Sequence, residues 1–193
     1  MIIIKDDVIP KDYQDFIEQF VQTEIPWFYL PDISGTGKKF KDSNWYPSGG
    51  FYHLAAIDGV INSTFFKDQF NLESLISVLA KGFDIEIKEL LRTKFNLTTP
   101  ITGYKSNNFC SPHTDIPDKK HCVMLYYVND SDGDTIFFET PNDMYNEDLV
   151  VTHRVTPKKG RCVLFDGSLY HTQSNPIYTP TRLNININIV LQD

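Results

Sequence analysis

Residues 181–191 read Thr-Arg-Leu-Asn-Ile-Asn-Ile-Asn-Ile-Val-Leu and alternate between polar and aliphatic side chains over most of their length. Side chains of a β-strand point alternately to the two faces of a sheet. We expect the aliphatic face of this predicted strand to pack under N-terminal helices. The opposite face should line the mouth of a barrel, and it carries Arg182, Asn184, Asn186 and Asn188.

The chain after Pro100 has the pattern of a β-rich protein throughout. Short segments with aromatic and β-branched residues are separated by turn signals, such as residues 129–133 and 157–160. Many short strands with turns between them are typical of a sandwich or barrel. The predicted strands are 101–104, 121–128, 135–138, 149–155, 162–165 and 181–191.

The first hundred residues have a different pattern, which predicts a short strand, helices and a loop. A strand is expected at residues 2–4, and Pro10 opens an amphipathic helix. Residues 31–50 are rich in glycine and read as a long loop. Apolar residues from about Leu72 to Phe95 again have helical spacing, which Gly82 would interrupt. We expect one domain over residues 1–193, with 1–100 as strand, helices and loop and 101–193 as the β core.

Charge and composition restrict the partners and the compartment. The net charge is −7, and Lys and Arg form no cluster beyond doublets, so nucleic acid is disfavoured as a partner. No run approaches about 20 apolar residues, so no membrane span is expected. The chain lacks the pattern of a signal peptide, and its three cysteines are Cys110, Cys122 and Cys162. We therefore predict reduced thiols and a cytoplasmic location. Nothing in the sequence indicates the oligomeric state.

His113 and Asp115 are two residues apart, so in an extended segment they share a face. His171 follows Asp115 by fifty-six residues, and Arg182 follows His171 by eleven. Two imidazoles and one carboxylate form the facial triad that holds Fe(II) and leaves coordination positions open. A nearby arginine suggests that a small dicarboxylic acid fills the open face, with its far end on the guanidinium.

Two alternatives compete with this metal site. Each histidine, taken singly, is more readily explained as an ordinary loop residue, and only the combined spacing favours a metal. A zinc site could be drawn from Cys110-x-x-His113 together with His121-Cys122. Adjacent residues in a strand point to opposite faces, however, so His121 and Cys122 cannot easily bind one ion. His53 and His153 have no partner at ligand spacing.

These residues lie within motifs that resemble the 2-oxoglutarate/Fe(II)-dependent oxygenases, and most closely their prolyl-4-hydroxylase-like branch. The resemblance covers about residues 100–191, with several motifs in the family's order and spacing. The motifs are Tyr104, 111–115, 124–130, 133–137, 155–165, His171 and Arg182.

The resemblance implies a double-stranded β-helix, a jelly roll of the cupin type, with iron at one mouth. His113, Asp115 and His171 match the metal ligands, and Arg182 matches the cation that binds the distal carboxylate of 2-oxoglutarate. Tyr104 and Tyr127 match tyrosines that can hydrogen-bond the same carboxylate. Asn184 stands where many relatives have serine. Collagen-type prolyl 4-hydroxylases have lysine at the position of Arg182, so the resemblance does not identify proline as the substrate.

The predicted function is therefore that of a dioxygenase that uses Fe(II), 2-oxoglutarate and O2 to hydroxylate an unactivated C–H bond. Its substrate could be a peptidyl proline, another amino-acid side chain or a small metabolite. Asp115 favours hydroxylation, because relatives that halogenate lack this carboxylate. Two other classes stay open: a cupin-like enzyme that does not use 2-oxoglutarate, and a jelly roll that binds a ligand without catalysis.

Overall fold

The computed structural model describes residues 1–33, 39–141, 143 and 145–192. The helices are α1 (Lys11–Thr23), α2 (Phe65–Asp68) and α3 (Leu72–Phe83). The strands are β1 (Ile2–Lys5), β2 (Phe28–Leu30), β3 (Gly50–Ile57), β4 (Val60–Ile61), β5 (Ile87–Thr98), β6 (Cys122–Tyr127), β7 (Thr135–Phe138), β8 (Val151–Val155), β9 (Cys162–Asp166), β10 (His171–Gln173) and β11 (Arg182–Leu191). The predicted loop at 31–50 includes residues 34–38, which lie outside the described residues.

Two antiparallel sheets face each other. The larger has the strand order β1-β9-β6-β11-β5-β3-β2, with β4 paired to β3, and the smaller has the order β10-β7-β8. Apolar residues of β6 and β9 pack against Phe137 and Val155 of the small sheet, which closes the space between the sheets. This is the mainly β architecture, with flanking N-terminal helices, that the sequence predicts.

The alternating strand β11 lies at the centre of the large sheet, between β6 and β5. Its aliphatic face is fully buried against the N-terminal helices, in a core that includes Ile17 and Phe20 of α1 and Leu75 and Leu79 of α3. Its polar face turns toward the small sheet, where Arg182, Asn184 and Asn186 line a cavity. Both expectations for this strand are confirmed.

The predicted helix from about Leu72 to Phe95 is wrong in its second half. Helix α3 ends at Phe83, where Asp84 adopts a left-handed conformation with φ 57°. Beyond it the chain forms the long strand β5, in which buried and cavity-facing residues alternate. Gly82 does not interrupt α3. It lies where the helix contacts Val8, and a Cβ at this position would collide with that side chain.

Other differences follow from local backbone geometry and from pairing over long distances in the sequence. Residues 101–104 form a turn and not a strand, because the Tyr104 amide donates to the Ile101 carbonyl and Gly103 has φ +83°. Strands β2, β3, β4 and β10 are not predicted. Strand β5 pairs with β11, and β3 pairs with β5. The large sheet therefore contains strands from both sides of residue 100.

Membrane-spanning potential and the state of the cysteines can be read directly from the structure. In the part of the chain that the structure describes, no helix is both long and apolar enough to cross a bilayer. All three cysteines are free thiols.

Candidate metal centre and its cavity

The backbone brings His113 and His171 together, although they are far apart in the sequence. The two residues form an antiparallel bridge in which each amide donates to the other's carbonyl, at 2.9 and 3.0 Å. Residues paired in this way project their side chains to the same face of a sheet. Accordingly, the imidazole ring centroids are 4.9 Å apart.

Hydrogen bonds to the backbone fix the tautomer of both histidines. Nδ1 of His113 lies 3.1 Å from the Ser111 carbonyl, and Nδ1 of His171 lies 2.9 Å from the Leu169 carbonyl. A carbonyl oxygen only accepts, so each Nδ1 carries the hydrogen and each Nε2 keeps a lone pair. Both Nε2 atoms lie 3.9 Å from a carboxylate oxygen of Asp115.

Asp115 is held by three donors from the large sheet. Nη2 of Arg92 donates to Oδ1 at 2.7 Å, and the side-chain amides of Asn186 and Asn188 donate to Oδ2 at 3.0 and 2.9 Å. Burial alone would raise the pKa of Asp115. The neighbouring His171 and the positive charge of Arg92 outweigh that effect and hold the pKa below its usual range. The carboxylate is therefore ionised at neutral pH.

The three side chains fit a divalent transition metal. One ligand atom from each lies within 4.8 Å of the others, and this is the only such His/Cys/Asp/Glu cluster among the described residues. Burial and the neighbouring His171 lower the pKa of His113 to about 4, so this imidazole is neutral at pH 7, as a metal ligand must be. Two imidazoles and one carboxylate, without a thiolate, suit Fe(II) better than a structural zinc.

Arg182 opens β11 and is only 2% exposed. Its guanidinium donates to the Gly133 carbonyl at 2.7 Å, to Gln173 Oε1 at 2.8 Å and to Thr135 Oγ1 at 2.8 Å. All three acceptors are uncharged. Among the described residues, no carboxylate oxygen lies within 4.0 Å of this buried cation. Buried charges are normally paired, so the surroundings of Arg182 are suited to an anion that the chain does not supply.

One polar cavity joins the triad to Arg182. Arg92, Lys94 and Asn96 of β5 form part of its wall, and the three triad residues lie on it together with Thr135, Gln173 and Asn184. The small carboxylic acid expected from the sequence would therefore meet both the metal ligands and the guanidinium in one space.

The remaining predicted site residues differ in their positions. Asn184 lines the cavity, and its Oδ1 accepts from Asn96 Nδ2 at 3.1 Å. Tyr127 is fully buried behind Arg182, with its hydroxyl 2.6 Å from Thr135 Oγ1 and its ring centroid 5.6 Å from the guanidinium carbon. The Tyr104 hydroxyl lies 4.0 Å from Cys110 Sγ, and Tyr104 is not among the described residues of the cavity wall. Tyr127 is likewise not among the described residues of that wall. The assignment of both tyrosines and of Asn184 to the oxoacid stays a prediction.

Among the described residues, those of the alternative zinc site do not form a metal-ligating cluster. Cys110 Sγ contacts Ser48 Oγ at 2.9 Å. In the described part of the chain, Cys110 belongs to no cluster of potential metal ligands. Burial raises the pKa of its thiol to about 11. His121 Nδ1 lies 2.7 Å from the Lys119 carbonyl. Outside that alternative site, Nδ1 of His53 lies 2.8 Å from the Pro26 carbonyl.

Several residues of the site do not emerge from the sequence. Asn186 and Asn188 were placed on the correct face of β11, but nothing in the sequence linked them to Asp115. Arg92 and Lys94 fall in the segment where the sequence pattern predicts a helix, so their position on the cavity wall is missed. Their alternation with Thr93 and Phe95, which are buried, is a local signal for a strand. The roles of Thr135 and Gln173 depend on how the two sheets meet.

Comparison with known proteins gives no match by sequence: no family model matches the chain, and no curated protein is significantly similar. Solved structures do match. A prolyl-4-hydroxylase from Pseudomonas putida is 16% identical with a TM-score of 0.55, over 97% of this chain and 91% of that one. A prolyl hydroxylase from Trichoplax adhaerens, in complex with a peptide fragment of a hypoxia-inducible factor, is 14% identical with a TM-score of 0.60, over 97% and 84%.

A third match is SnoN, an epimerase from nogalamycin biosynthesis in complex with Fe3+, alpha-ketoglutarate and nogalamycin RO. It is 13% identical with a TM-score of 0.57, over 98% of this chain and 78% of that one. At these identities the likeness establishes the fold. The chain thus has the double-stranded β-helix of the 2-oxoglutarate/Fe(II) oxygenases, as the motif resemblance implies.

Proposed function

We propose that the protein is an Fe(II)- and 2-oxoglutarate-dependent dioxygenase that hydroxylates an unactivated C–H bond. The observation that carries this proposal is a single cavity with a His/Asp/His triad and a buried guanidinium that has no carboxylate partner among the described residues. A 2-oxoacid with a second carboxylate satisfies both features at once.

Each residue of the cavity has a distinct part in this function. Nε2 of His113, Nε2 of His171 and the carboxylate of Asp115 would hold the iron, and Arg182 would bind the distal carboxylate of the oxoacid through a bidentate pair. The Thr135 hydroxyl, placed between Arg182 and Tyr127, would donate to the same carboxylate. When bound, iron would supply the oxidising chemistry with 2-oxoglutarate and O2 as co-substrates and with succinate and carbon dioxide as co-products.

The protein itself fixes the orientation and the charge state of the metal-binding side chains. The backbone carbonyls behind both imidazoles keep them in the tautomer that binds metal, and Arg92, Asn186 and Asn188 hold the carboxylate in place. Asp115 supports hydroxylation over halide transfer, because it fills the position that a halide would need. SnoN, an epimerase, shares this fold, so the reaction has to be established by identifying the product.

Substrate class is part of the same proposal. The Trichoplax enzyme was solved with a peptide and SnoN with a small molecule, and both classes are candidates here. The free thiols agree with a cytoplasmic enzyme. The two rival functions predict different results: a cupin-like enzyme would turn over without 2-oxoglutarate, and a non-catalytic jelly roll would need no iron.

The test is an anaerobic titration of the Fe(II)-loaded protein with 2-oxoglutarate, followed through the metal-to-ligand charge-transfer absorption. We expect saturable absorption in the wild type and none in His171→Ala, in which one of three metal ligands is missing. Exposure to O2 should then release succinate. Tight iron binding without an effect of 2-oxoglutarate would contradict the proposal and favour the cupin-like enzyme.

A further inference from the structure

Lys94 projects into the cavity from β5, near the metal triad and apart from Arg182. In the pairing of β5 with β11, Lys94 stands opposite Asn186 and Thr98 stands opposite Arg182. Four residues along a strand correspond to roughly 13 Å between backbone positions. Asn186 contacts Asp115, so Lys94 lies near the metal-binding end of the cavity, while Arg182 lies at the other end.

The ammonium group of Lys94 has no acidic partner at contact distance. Its Nζ lies 3.5 Å from the Ile33 carbonyl and 5.4 Å from the centroid of the Tyr52 ring. Within the described residues, no carboxylate oxygen lies within 4.0 Å of it. Asp115 and Asp32 attract it only from greater distances. A half-buried cation in this position is suited to an anion that enters the cavity.

The charge of the cavity wall supports the same conclusion. Its described residues include three cations, Arg92, Lys94 and Arg182, against one carboxylate, Asp115. A divalent metal and a dianionic oxoacid cancel each other, so two positive charges stay in excess after both have bound. Arg92 is paired with Asp115, and Arg182 is assigned to the oxoacid. Of the three cations, Lys94 is then the one with neither a carboxylate at contact distance nor an assigned ligand, in a chain whose net charge is −7.

We propose that Lys94 binds a carboxylate of the substrate, so that the enzyme acts on an acidic molecule or on an acidic side chain of a peptide. This inference rests on the proposed function, since it assigns Arg182 to the co-substrate. An ion pair between Lys94 and the substrate would fix the distance from that carboxylate to the metal, and hence the C–H bond that reacts.

The protonation and surroundings of Lys94 agree with this role. Burial and the neighbouring Arg92 lower the pKa of Lys94 to about 8, and a bound carboxylate would raise it again. Beyond Lys94, the Tyr52 ring is 5.9 Å from that of Phe28, whose residue is 55% exposed. This aromatic surface can contact an apolar part of the same substrate.

The test compares matched acids and amides on the Fe(II)- and 2-oxoglutarate-loaded protein under anaerobic conditions. Lysines are labelled by reductive 13C-methylation, and the Lys94 signal is identified by its absence in Lys94→Gln. Benzoate against benzamide represents a free acid, and capped glutamate against capped glutamine represents a peptide side chain. We expect one acid to shift the Lys94 signal and to bind about tenfold more tightly than its amide.

Lys94→Gln should lose this preference, as measured from the ligand signals, and Lys94→Arg should keep it. Lys88→Gln, an exposed lysine change on the same strand, should behave as wild type. Equal binding of acid and amide in both pairs would overturn the proposal. Displacement of the bound acid by 2-oxoglutarate would overturn it as well. The charge-transfer titration with 2-oxoglutarate is run on Lys94→Gln as well, where it should be unchanged. If the wild type itself fails that titration, the proposed function fails independently of the Lys94 result.

Discussion

Arg182 is the residue whose environment most directly suggests a ligand. We expect Arg182→Ala to weaken 2-oxoglutarate binding by roughly 2–5 kcal/mol, or ~30-fold or more, because the distal carboxylate loses a buried, charge-assisted pair. Arg182→Lys should lose less, since it keeps the charge without the bidentate geometry. The measurement is the anaerobic charge-transfer titration. Arg154→Ala, a change to an arginine paired with Asp134 outside the cavity, is the control.

The outcome that contradicts this assignment is unchanged 2-oxoglutarate affinity in a folded Arg182→Ala protein. Iron affinity should stay near the wild-type value in both variants, because Arg182 donates to no metal ligand. A thermal melt of each variant shows whether the loss of the hydrogen bonds to Gly133 and Thr135 has disturbed the fold.

Asn188 acts on the metal through Asp115. Its side chain is fully buried and donates to Asp115 Oδ2 at 2.9 Å. Groups that orient a metal ligand typically contribute about 10–100-fold to affinity. We expect Asn188→Ala to weaken Fe(II) binding within that range, measured by competition with a chelator. Asn184→Ala is the matched control on the same face of β11, because Asn184 bonds to Asn96 and not to Asp115. Equal affinities in the two variants would show that Asn188 does not position the carboxylate.

The sequence is informative about this site wherever the geometry is local or repeats along a strand. The two-residue spacing of His113 and Asp115 and the alternation at Arg182 both predict which side chains share a face. Their assignment as ligands stays a prediction that these measurements test. The contact of Arg92 with Asp115 depends on the pairing of β5 with β11 in the large sheet, which no local pattern reveals.

Among the secondary-structure elements, β5 shows most clearly where local pattern fails. Apolar residues after Phe83 continue at intervals that a helix would also accept, and only the left-handed Asp84 ends α3. The strand is favoured because Phe95 fills the core beneath the helices, with Leu90 packed against that core, while Arg92 and Lys94 face the cavity. That choice is made by tertiary packing, which outweighs intrinsic propensity. In contrast, α1, β1, β7 and β11 have patterns that fit one structure, and they were predicted correctly.

The turn before β9 depends on a glycine. Gly160 has φ +79°, and a Cβ there would collide with the amide group of the buried Gln14 in α1. We expect Gly160→Ala to lower the free energy of unfolding by about 2–4 kcal/mol, from backbone strain of about 1–2 kcal/mol together with the displacement of Gln14. Gly59→Ala is the control, because Gly59 has φ +75° but its Cβ would meet only the Leu90 carbonyl oxygen, at an ordinary contact distance of 4.0 Å.

Urea unfolding of both glycine variants separates strain from collision. The control should lose only the backbone part of the stability. A Gly160→Ala protein no less stable than Gly59→Ala would show that Gln14 moves aside at no cost, so that the turn and α1 are not tightly coupled.

At the scale of the whole molecule, the fold class could be predicted because strand count, turn signals and the amphipathic β11 all agree. The order of strands in the large sheet could not, since β1 pairs with β9 and β5 pairs with β11 over long distances in the sequence. The same long-range pairing brings His171 to His113. The cavity is therefore a product of the assembled sheets, and its ionisable groups affect the stability of the entire fold.

His113 links that stability to pH in the metal-free protein. Its pKa is lowered from 6.5 to about 4, so between these values the unfolded chain binds a proton that the folded chain does not. The free energy of unfolding must then fall as the pH falls from about 6.5 toward 4. Asp115 acts outside this window, because its lowered pKa adds stability that is lost only below its ordinary value of 3.8. Burial also lowers the pKa of His53, which contributes with the same sign.

The contribution of His113 can be isolated by substitution. Each unit of pH within the window changes the stability by at most about 1.4 kcal/mol per proton, so we expect a loss of roughly 1–2 kcal/mol between pH 6.5 and 5. About a quarter of the His113 side chain (26%) is exposed, which favours the lower end of that range. Urea unfolding in EDTA at both pH values, for wild type and His113→Gln, measures the difference. The exposed His153→Gln should keep the wild-type dependence, and an equally steep dependence in His113→Gln would mean that other groups destabilise the protein in acid.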